Sequence, residues 1–452
     1  MKFSSDIAAL LSLAPSHGLA MQHKLESQKF QDNIETRNLV ITLEALNAIA
    51  FTNGGNRAFG LPGYEASVDY IYRRTSKVKN AKVWKQTFSE LFNFIDSIEL
   101  SVDDKPIDIY GLAYSPSTTK AGITAEIALG PEGAAGCNTS SYHDRDVKGK
   151  IVLVGNSPCR TSESLAGRAL PAAAAGASAV IIYDDLGVNV AARSLGKPNP
   201  EGLVPAGLIS RIDALKFKDR IEAGETVKAH FQHTQTIEER LTQNIMAETT
   251  GGDPRNVIML GAHLDSVQGG PGINDNGAPS LSAKALTTLI QTGSGSSLIL
   301  ELFLALSKYK TKNKIRFAWW GAEENGVLGS KHYTSNLPAD DVDNILVYLN
   351  FDMVAKGFFG VADTDGSSFG CKAPEGSEAT EKIFVEYFTN NGIEVTPVGL
   401  TNGSDYAPFW HNLKKPFGYL HTAAAHILAV LDERGTTLIP KAKSTTTMLK
   451  GL

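Results

Sequence analysis

The chain has 452 residues, of which 42% are hydrophobic and 20% are charged, and its formal net charge is -5. This length is sufficient for two or three domains, each with its own core. The small net charge gives no reason to expect nucleic acid or an anionic membrane as a partner. Since no apolar run approaches the roughly 20 residues that span a bilayer, we expect a soluble protein. We also expect a monomer.

Residues 1–20 are similar to a secretory signal peptide. A basic residue precedes an apolar stretch at 7–14, and small residues follow at Gly18 and Ala20, as a cleavage site requires. Asp6 and the short apolar stretch leave an ordinary amphipathic start as the alternative. We expect a secreted protein, with a vacuolar or lysosome-like compartment as the alternative.

The cysteines are too few for a scaffold held together by several disulfides. Cys137 and Cys159 flank one predicted strand, and their spacing leaves open a single bridge or two unrelated thiols. Cys371 is left over. Asn138, in Asn-Thr-Ser, is an acceptor for N-glycosylation if the chain is secreted.

Residues 24–110 are predicted to be rich in helix. Apolar side chains recur there at near-helical spacing, at Ile34, Leu39, Leu43, Leu46 and Ile49. Residues 111–235 are rich in Gly and Ala, with β-type runs at 151–154 and 179–183 around an alanine-rich stretch that suits a crossover helix at 169–178. This second region is predicted to be a separate module.

The third region, 236–433, contains short and nearly continuous apolar runs at 257–260, 315–319 and 345–351. Such runs are typical of buried strands in a mostly parallel sheet. Between the first two runs lies a helical stripe formed by Leu298, Ile299, Leu302, Phe303 and Leu306. The alternation predicts an α/β fold, a mixed and mostly parallel sheet flanked by helices. Residues 434–452 are basic and Thr-rich, which predicts a disordered tail.

Each of these three apolar runs ends in side chains that can bind metal. The first is followed by His263 and Asp265, the second by Glu323 and Glu324, and the third by Asp352. In open α/β sheets, ligands bind at the carboxyl ends of strands. A lone histidine there is more often structural, and an acidic pair is often a solvated helix start. Three such strand ends together favour a metal site.

The residue types suggest different roles within such a site. His263 offers an imidazole suited to zinc, and Asp265 could accept a hydrogen bond from its other ring nitrogen. Of the pair Glu323 and Glu324, one can bind metal while the other holds a water as general base. The carboxylate of Asp352, at the end of a buried run, needs a partner that a metal would supply.

A further carboxylate, Asp275, lies in the string Gly-Ile-Asn-Asp-Asn-Gly at 272–277. Asn, Asp and Gly all tolerate turn conformations, so an ordinary tight turn is the simpler interpretation of the spacing. The functional alternative is a carboxylate placed on a turn so that its two oxygens bridge two metals.

Together these motifs resemble those of the two-zinc aminopeptidases, specifically the secreted leucine aminopeptidase and aminopeptidase Y-like group. The resemblance extends over roughly 30–430, and its motifs occur in the family's order at His263–Ser266, Gly272–Asp275, Trp319–Glu324 and Asn350–Met353. The module at 111–235 resembles the protease-associated domain inserted in that group.

The resemblance implies two zinc ions per chain and peptides as substrates. His263 and Asp352 would bind one zinc and Glu324 the other, while Asp275 would bridge them. Glu323 would be the general base that activates water. A large apolar first residue of the substrate, such as leucine, is implied by the resemblance alone.

Two departures from the family pattern concern the second zinc position. Residues 277–292 intervene between the Asp275 turn and the Gly-Ser-Gly that should follow it closely. After Thr422 the chain passes directly to what resembles the family's final helix, so the last zinc-binding histidine is absent. Neither His421 nor His426 matches it.

The second zinc would then keep only Glu324 and Asp275, fewer than the three protein ligands usual at catalytic zinc. A catalytically impaired or inactive homologue is therefore the alternative to an active enzyme. The intact flanks of both departures favour one retained and one skipped segment in transcript assembly. A carboxypeptidase or glutaminyl cyclase on the same fold, and a peptide-binding protein without activity, are further alternatives.

Overall fold

The computed structural model describes residues 27–157, 159, 164–184, 194–196, 202–272, 293–355 and 358–423. The predicted leader, Asp275, the segment at 277–292 and the predicted tail lie outside these ranges, as does the chain beyond Ala423. Within the described ranges, no helix has both the length and the apolar character that crossing a membrane requires.

The helices and strands of these ranges are numbered in chain order. The helices are α1 (Ser27–Gln31), α2 (Thr36–Thr52), α3 (Pro62–Thr75), α4 (Ala166–Ala174), α5 (Arg211–Glu222), α6 (Ser294–Leu306), α7 (Leu328–Ser335), α8 (Ala339–Asn344), α9 (Ser377–Asn390) and α10 (Tyr406–His411). The strands are β1 (Ala81–Val102), β2 (Lys105–Pro106), β3 (Ile109–Gly111), β4 (Ile123–Leu129), β5 (Ile151–Gly155), β6 (Ala179–Asp184), β7 (Ala206–Ser210), β8 (Lys228–Thr249), β9 (Asp253–His263), β10 (Asn313–Trp320), β11 (Ile345–Asp352), β12 (Phe358–Ala362), β13 (Val395–Val398) and β14 (Phe417–Ala423).

The chain divides into two compact units. The first comprises the residues up to Glu90 and those from Leu241 onward, and the second comprises Leu91–Arg240. Both boundaries fall inside long strands, β1 and β8. The second unit therefore begins and ends somewhat outside the module at 111–235 that the composition suggested.

The first unit is built on a sheet with the strand order β13-β12-β14-β11-β9-β10-β8. Strand β9 is parallel to both β10 and β11, and β11 is parallel to β14. The β8–β10 and β12–β14 pairs are antiparallel. The three predicted apolar runs lie in β9, β10 and β11, and the predicted mixed, mostly parallel sheet is confirmed.

Helix α6 packs on β9 and β11 and carries the predicted apolar stripe, all of it buried. Each large apolar side chain buried in this way contributes about 1.5–3 kcal/mol. Gly295 permits the close approach at the start of the helix, because a Cβ there would lie 2.1 Å from the carbonyl oxygen of Phe351. The first turn of α6 is thereby held against the end of β11.

The N-terminal region differs from its prediction in one element. Helices α2 and α3 are present, but residues 81–102 form a strand, so the expectation of a helix-rich segment to residue 110 is wrong beyond Thr75. The apolar residues Ile98, Leu100 and Val102 alternate along this strand with a period of two, which suits one face of a sheet.

The second unit contains its own mostly parallel sheet, in which β4, β5, β6 and β7 pair in that order. The predicted β-type runs lie in β5 and β6, and the predicted crossover helix is α4. Cys137 and Cys159 form a disulfide, so two unrelated thiols are ruled out. Cys371 is a free thiol on the surface of the first unit.

Candidate active site

The carboxyl ends of three neighbouring strands bring the predicted site residues together. His263 is the last residue of β9 and lies beside Trp320, the last residue of β10, in the parallel ladder. Asp352 is the last residue of β11. Because all three strands run in the same direction, their ends meet at one edge of the sheet.

His263 lies between two carboxylates. Its Nε2 is 3.1 Å from Oδ1 of Asp352, and its Nδ1 is 3.6 Å from Oδ1 of Asp265. Burial would lower the pKa of the imidazole, but the negative charges of Asp352 and Glu323 outweigh burial and raise the pKa well above its ordinary value. The surroundings of His263 therefore favour a positive charge at this point.

Asp265 supports the glutamate pair as well as the imidazole. Its Oδ1 accepts a hydrogen bond from the backbone N–H of Glu323 at 3.1 Å, and its Oδ2 accepts one from that of Glu324 at 3.2 Å. The 3.6 Å separation from His263 is longer than an ordinary hydrogen bond. Asp265 thus fixes the loop after β10 by hydrogen bonds, and its carboxylate also contributes to raising the pKa of His263.

The backbone is strained on both sides of the site. Ala322, directly before Glu323, has φ 56°, and Met353, directly after Asp352, has φ 48°. Non-glycine residues adopt this left-handed region rarely, and such residues cluster at functional sites.

Glu323 is a buried carboxyl group surrounded by further carboxylates. Its side chain is buried, and burial together with the charges of Asp352, Asp405 and Glu324 raises its pKa well above the ordinary value, although His263 opposes this. A carboxylate with a raised pKa takes up a proton more readily near neutral pH.

A chain of buried hydrogen bonds ends at Asp352. Ser404 Oγ donates to Asp352 Oδ2 at 2.8 Å and accepts from Asn350 Nδ2 at 2.8 Å. Tyr348 donates its hydroxyl to Asn350 Oδ1 at 2.7 Å, and Trp320 Nε1 donates to the Tyr348 oxygen at 2.8 Å. The orientation of the Asp352 carboxylate is therefore fixed by side chains from β10, β11 and the loop before α10.

Asp405, next to Ser404, is a further buried carboxyl group that the sequence did not single out. Ser330 Oγ donates to its Oδ1 at 2.5 Å. Burial raises the pKa of Asp405 to about 7, with contributions from the charges of Asp265 and Asp352. Neither Ser404 nor Asp405 belongs to the motifs in which the sequence analysis placed the metal-binding residues.

Two further positions from the sequence analysis are His421 and Asp275. His421 on β14 lies beside Asp352 in the parallel ladder and stacks on Tyr419, with ring centroids 5.0 Å apart. The predicted bridging carboxylate, Asp275, lies outside the described residues. The described residues therefore bring together His263, Asp265, Glu323, Glu324 and Asp352, which are five of the six predicted site residues.

A separate group of carboxylates is formed by Asp363, Asp365 and Glu381 in the first unit. Their oxygens already accept hydrogen bonds from backbone N–H groups of Thr364, Asp365, Ser367, Ser368 and Phe369. These bonds shape the turn after β12, which is a sufficient structural role for the group.

The strand-end residues fit a zinc ion. Ligands bind tetrahedral zinc at about 2.0–2.2 Å, which places two ligand atoms roughly 3.3 Å apart. His263 Nε2 and Asp352 Oδ1 form a 3.1 Å hydrogen bond, so two potential zinc ligands lie close together. The surrounding carboxylates of Asp265, Glu323 and Asp405 are buried too. Buried carboxylates in excess are stabilised by coordinating a metal.

Sequence comparisons agree with this architecture. The profile described as peptidase family M28 matches residues 244–427, and the profile of the PA domain matches residues 123–217. A probable leucine aminopeptidase 2 of Trichophyton verrucosum is 35% identical over 399 residues, which are 87% of this chain and 74% of the relative. A probable leucine aminopeptidase 2 of Aspergillus oryzae is 33% identical over 415 residues, with 91% and 78% covered.

Solved structures share the fold. An aminopeptidase from Aneurinibacillus sp. strain AM-1 superposes with a TM-score of 0.69 at 24% identity, covering 88% of this chain and 87% of that one. A zinc aminopeptidase from Bacillus subtilis gives a TM-score of 0.59 at 22% identity, with 90% and 88% covered.

The sheet, the strand-end cluster and these similarities define a metallopeptidase of the α/β type with an inserted PA domain. The chain belongs to peptidase family M28. The expected family and fold are thereby confirmed.

Proposed function

We propose that this protein is a zinc-dependent aminopeptidase that removes N-terminal residues from peptides. The observation that carries the proposal is the buried cluster of His263, Asp352 and Glu323 at the strand ends, where an imidazole and carboxylates suited to zinc lie together. The names of the relatives support the same activity.

In this proposal His263 and Asp352 would hold one zinc and Glu324 the other, and the resemblance assigns Asp275 to both. Bound zinc would polarise the scissile carbonyl and lower the pKa of water. The two ligands of the first zinc, His263 and Asp352, lie on two adjacent parallel strands of the described part of the chain. Asp275 is included only because its motif resembles that of the family.

Glu323 accepts the proton of the attacking water and later returns it to the leaving amine. Its burial favours the protonated form after the first transfer, so the same carboxyl group can then act as an acid. Asp265 holds the backbone of Glu323 and places a negative charge beside His263. Ser404 fixes the rotation of the Asp352 carboxylate, so that one oxygen faces His263 while the other is occupied.

The test uses the purified full chain with leucyl-4-nitroanilide, with the same anilide acetylated on its amine, and with a peptide blocked at its C-terminus. An aminopeptidase cleaves the first and the third and not the second. Cleavage that needs a free C-terminus, or cyclisation of an N-terminal glutamine without hydrolysis, would contradict the proposal. Dialysis against a chelator should abolish cleavage, and added zinc should restore it.

The number of zinc ions is a separate question. We propose two per chain, with the second bound more weakly because only Glu324 and Asp275 are identified as its protein ligands. Metal analysis after dialysis against increasing chelator concentrations tests this. Two ions lost in two steps support the proposal, and two ions lost together contradict it. A chain that binds no zinc and cleaves no substrate would establish the inactive alternative.

The preferred substrates are proposed to be peptides with a large apolar first residue such as leucine, as the names of the relatives suggest. Comparing kcat/KM for leucyl, alanyl, lysyl and glutamyl anilides tests this. A preference for a charged or small residue would contradict it.

We propose secretion as a soluble, glycosylated monomer, with a vacuolar or lysosome-like compartment as the alternative. The pattern of residues 1–20 and the disulfide between Cys137 and Cys159 support an oxidising compartment, and Asn138 is exposed. Recovery from the medium with a new N-terminus near residue 20, a mass loss on enzymatic deglycosylation and a monomeric mass in solution are expected. Retention inside cells with an intact N-terminus would contradict secretion.

A further inference from the structure

A buried arginine clasps the loop that follows the first zinc ligand. Arg57, between α2 and α3, is only 1% exposed. Its Nε donates to the carbonyl oxygen of Pro271 at 3.0 Å, its Nη2 donates to that of Gly272 at 2.7 Å, and its Nη1 donates to that of Leu264. All three nitrogens of one guanidinium group therefore bind one loop, at both of its ends.

Backbone contacts strengthen this clasp. The Arg57 N–H donates to Ser266 Oγ at 2.9 Å, and the Ser266 N–H donates to the Arg57 carbonyl oxygen at 3.2 Å. Ser266 Oγ donates in turn to the carbonyl oxygen of Gly270 at 3.0 Å. Gly272 has φ +55°, and a Cβ there would lie 2.2 Å from the Ser266 Cβ, so the loop folds back tightly on itself.

The clasped loop has a special position in the sequence. It starts at Leu264, between His263 and Asp265, and ends at Gly272, three residues before Asp275. A shift of the loop therefore moves the imidazole of His263 and the carboxylate of Asp265 directly. Arg57, His263, Asp265 and Gly272 also line one cavity.

The positive charge of the Arg57 guanidinium also interacts with the carboxylates of the site. Burial lowers the pKa of Arg57 to about 10, which the charges of Asp265 and Glu324 oppose, so the group stays protonated at neutral pH. A buried arginine is costly unless its donors are satisfied. Carbonyl oxygens satisfy them here, and the positive charge offsets part of the local excess of carboxylates.

We propose that Arg57 is a positioning residue of the zinc site, which holds the loop from Leu264 to Gly272 so that His263 and Asp265 keep their metal-binding geometry. This inference rests on the proposed zinc-dependent function. A planar group with a fixed fork of donors is needed to reach three carbonyl oxygens at once, and the single ammonium of lysine cannot replace it.

The experiment compares Arg57→Lys and Arg57→Met with Arg316→Lys in the full chain. Arg316 is a matched control in the same unit: it is largely buried, but it donates to Glu248 and Tyr333, away from the loop. Zinc affinity is measured by competition with a chelator, well below the thermal midpoint that circular dichroism gives for each variant. An arginine that merely stabilised the core would lower the midpoint and leave zinc affinity unchanged.

We expect Arg57→Lys to weaken zinc binding about 10- to 100-fold, as changes to groups that orient metal ligands do. Arg57→Met should lose at least as much, and Arg316→Lys should keep the parental affinity. Parental zinc affinity in Arg57→Lys, or an equal loss in Arg316→Lys, overturns the inference. A parent chain that binds no zinc overturns the proposed function, and this inference with it.

Ser266→Ala provides a milder variant should Arg57→Lys fail to fold. It removes the acceptor of the Arg57 N–H and the bond to Gly270 while leaving the guanidinium in place. A folded Ser266→Ala with weaker zinc binding supports the clasp. Unchanged zinc affinity in that variant overturns it.

Discussion

Both units of the molecule contain parallel strands, but the polar residues at the carboxyl ends of these strands have different roles in the two units. In the second unit, β5, β6 and β7 end at Gly155, Asp184 and Ser210. There Asn156 donates to Asp184 at 2.9 Å, and Ser210 caps α5 by accepting from the Asp213 N–H at 3.0 Å. The polar groups at these strand ends thus form bonds that stabilise the fold.

In the first unit, the corresponding strand ends gather carboxylates in excess around one imidazole. Asp265, Glu323, Asp352 and Asp405 are all buried near His263. Hydrogen bonds orient these groups without removing their excess negative charge. The fold alone therefore does not define a functional site. The difference between the two units lies in the side chains at the strand ends, which, among the described residues, form an excess of buried carboxylates only in the first unit.

If the strand ends of the first unit form a catalytic site, replacing Glu323 should have the largest effect on activity. Glu323→Gln keeps the shape of the side chain and removes the proton acceptor, so kcat should fall about 10²- to 10⁴-fold while zinc content stays parental. Steady-state kinetics and metal analysis check both. Glu378→Gln, on the first turn of α9, is the matched control and should keep the parental kcat. A Glu323→Gln enzyme of near-parental kcat would remove Glu323 from the mechanism.

Removing the hydrogen bond that orients the Asp352 carboxylate should have an intermediate effect. Ser404→Ala frees one oxygen of the Asp352 carboxylate, and zinc affinity or kcat should fall about 10- to 100-fold. Chelator competition and kinetics measure this. Ser335→Ala, on the exposed end of α7, should change neither. If Ser404→Ala matched the parent, the hydrogen-bond chain from Trp320 would have no role in holding the ligand.

In the second unit, a change should affect stability and leave the chemistry intact. Replacing both Cys137 and Cys159 by serine should cost about 2–5 kcal/mol of unfolding free energy. The kcat measured well below the unfolding temperature should stay parental, because neither cysteine belongs to the unit that holds the site. Thermal unfolding with and without reductant gives the first quantity. A large drop in kcat of the folded variant would show that the second unit contributes to turnover.

The last expected effect concerns the pH dependence of stability. The pKa of Asp405 is raised to about 7 in the fold, so the folded chain binds a proton that the unfolded chain releases at lower pH. The resulting stabilisation is complete below the ordinary pKa of an aspartate and is lost as pH rises towards 7. Asp405→Asn should flatten this part of the stability profile of the zinc-free chain, followed by denaturant unfolding. An unchanged profile would assign the pH dependence to other groups.

The sequence predicted the parts of the site that depend on local order. Each apolar run became a buried strand, and the residue types just after each run became the cluster, because strand direction alone brings those ends together. Strand β1 was missed because its apolar alternation is clear only near its end, at Ile98, Leu100 and Val102.

The residues that hold the site residues in place, Ser404 and Arg57, could not be predicted from the sequence around them. Ser404 meets Asp352 from 52 positions away along the chain, and Arg57 meets Leu264 from 207 positions away. Their roles arise from tertiary contacts that carry no motif.

The most direct test of the strand-end zinc site is a crystal structure with anomalous data collected on both sides of the zinc absorption edge. We predict a zinc peak within bonding distance of His263 Nε2 and of a carboxylate oxygen of Asp352. Anomalous density only elsewhere, or none at this position in zinc-containing crystals of active protein, would contradict it.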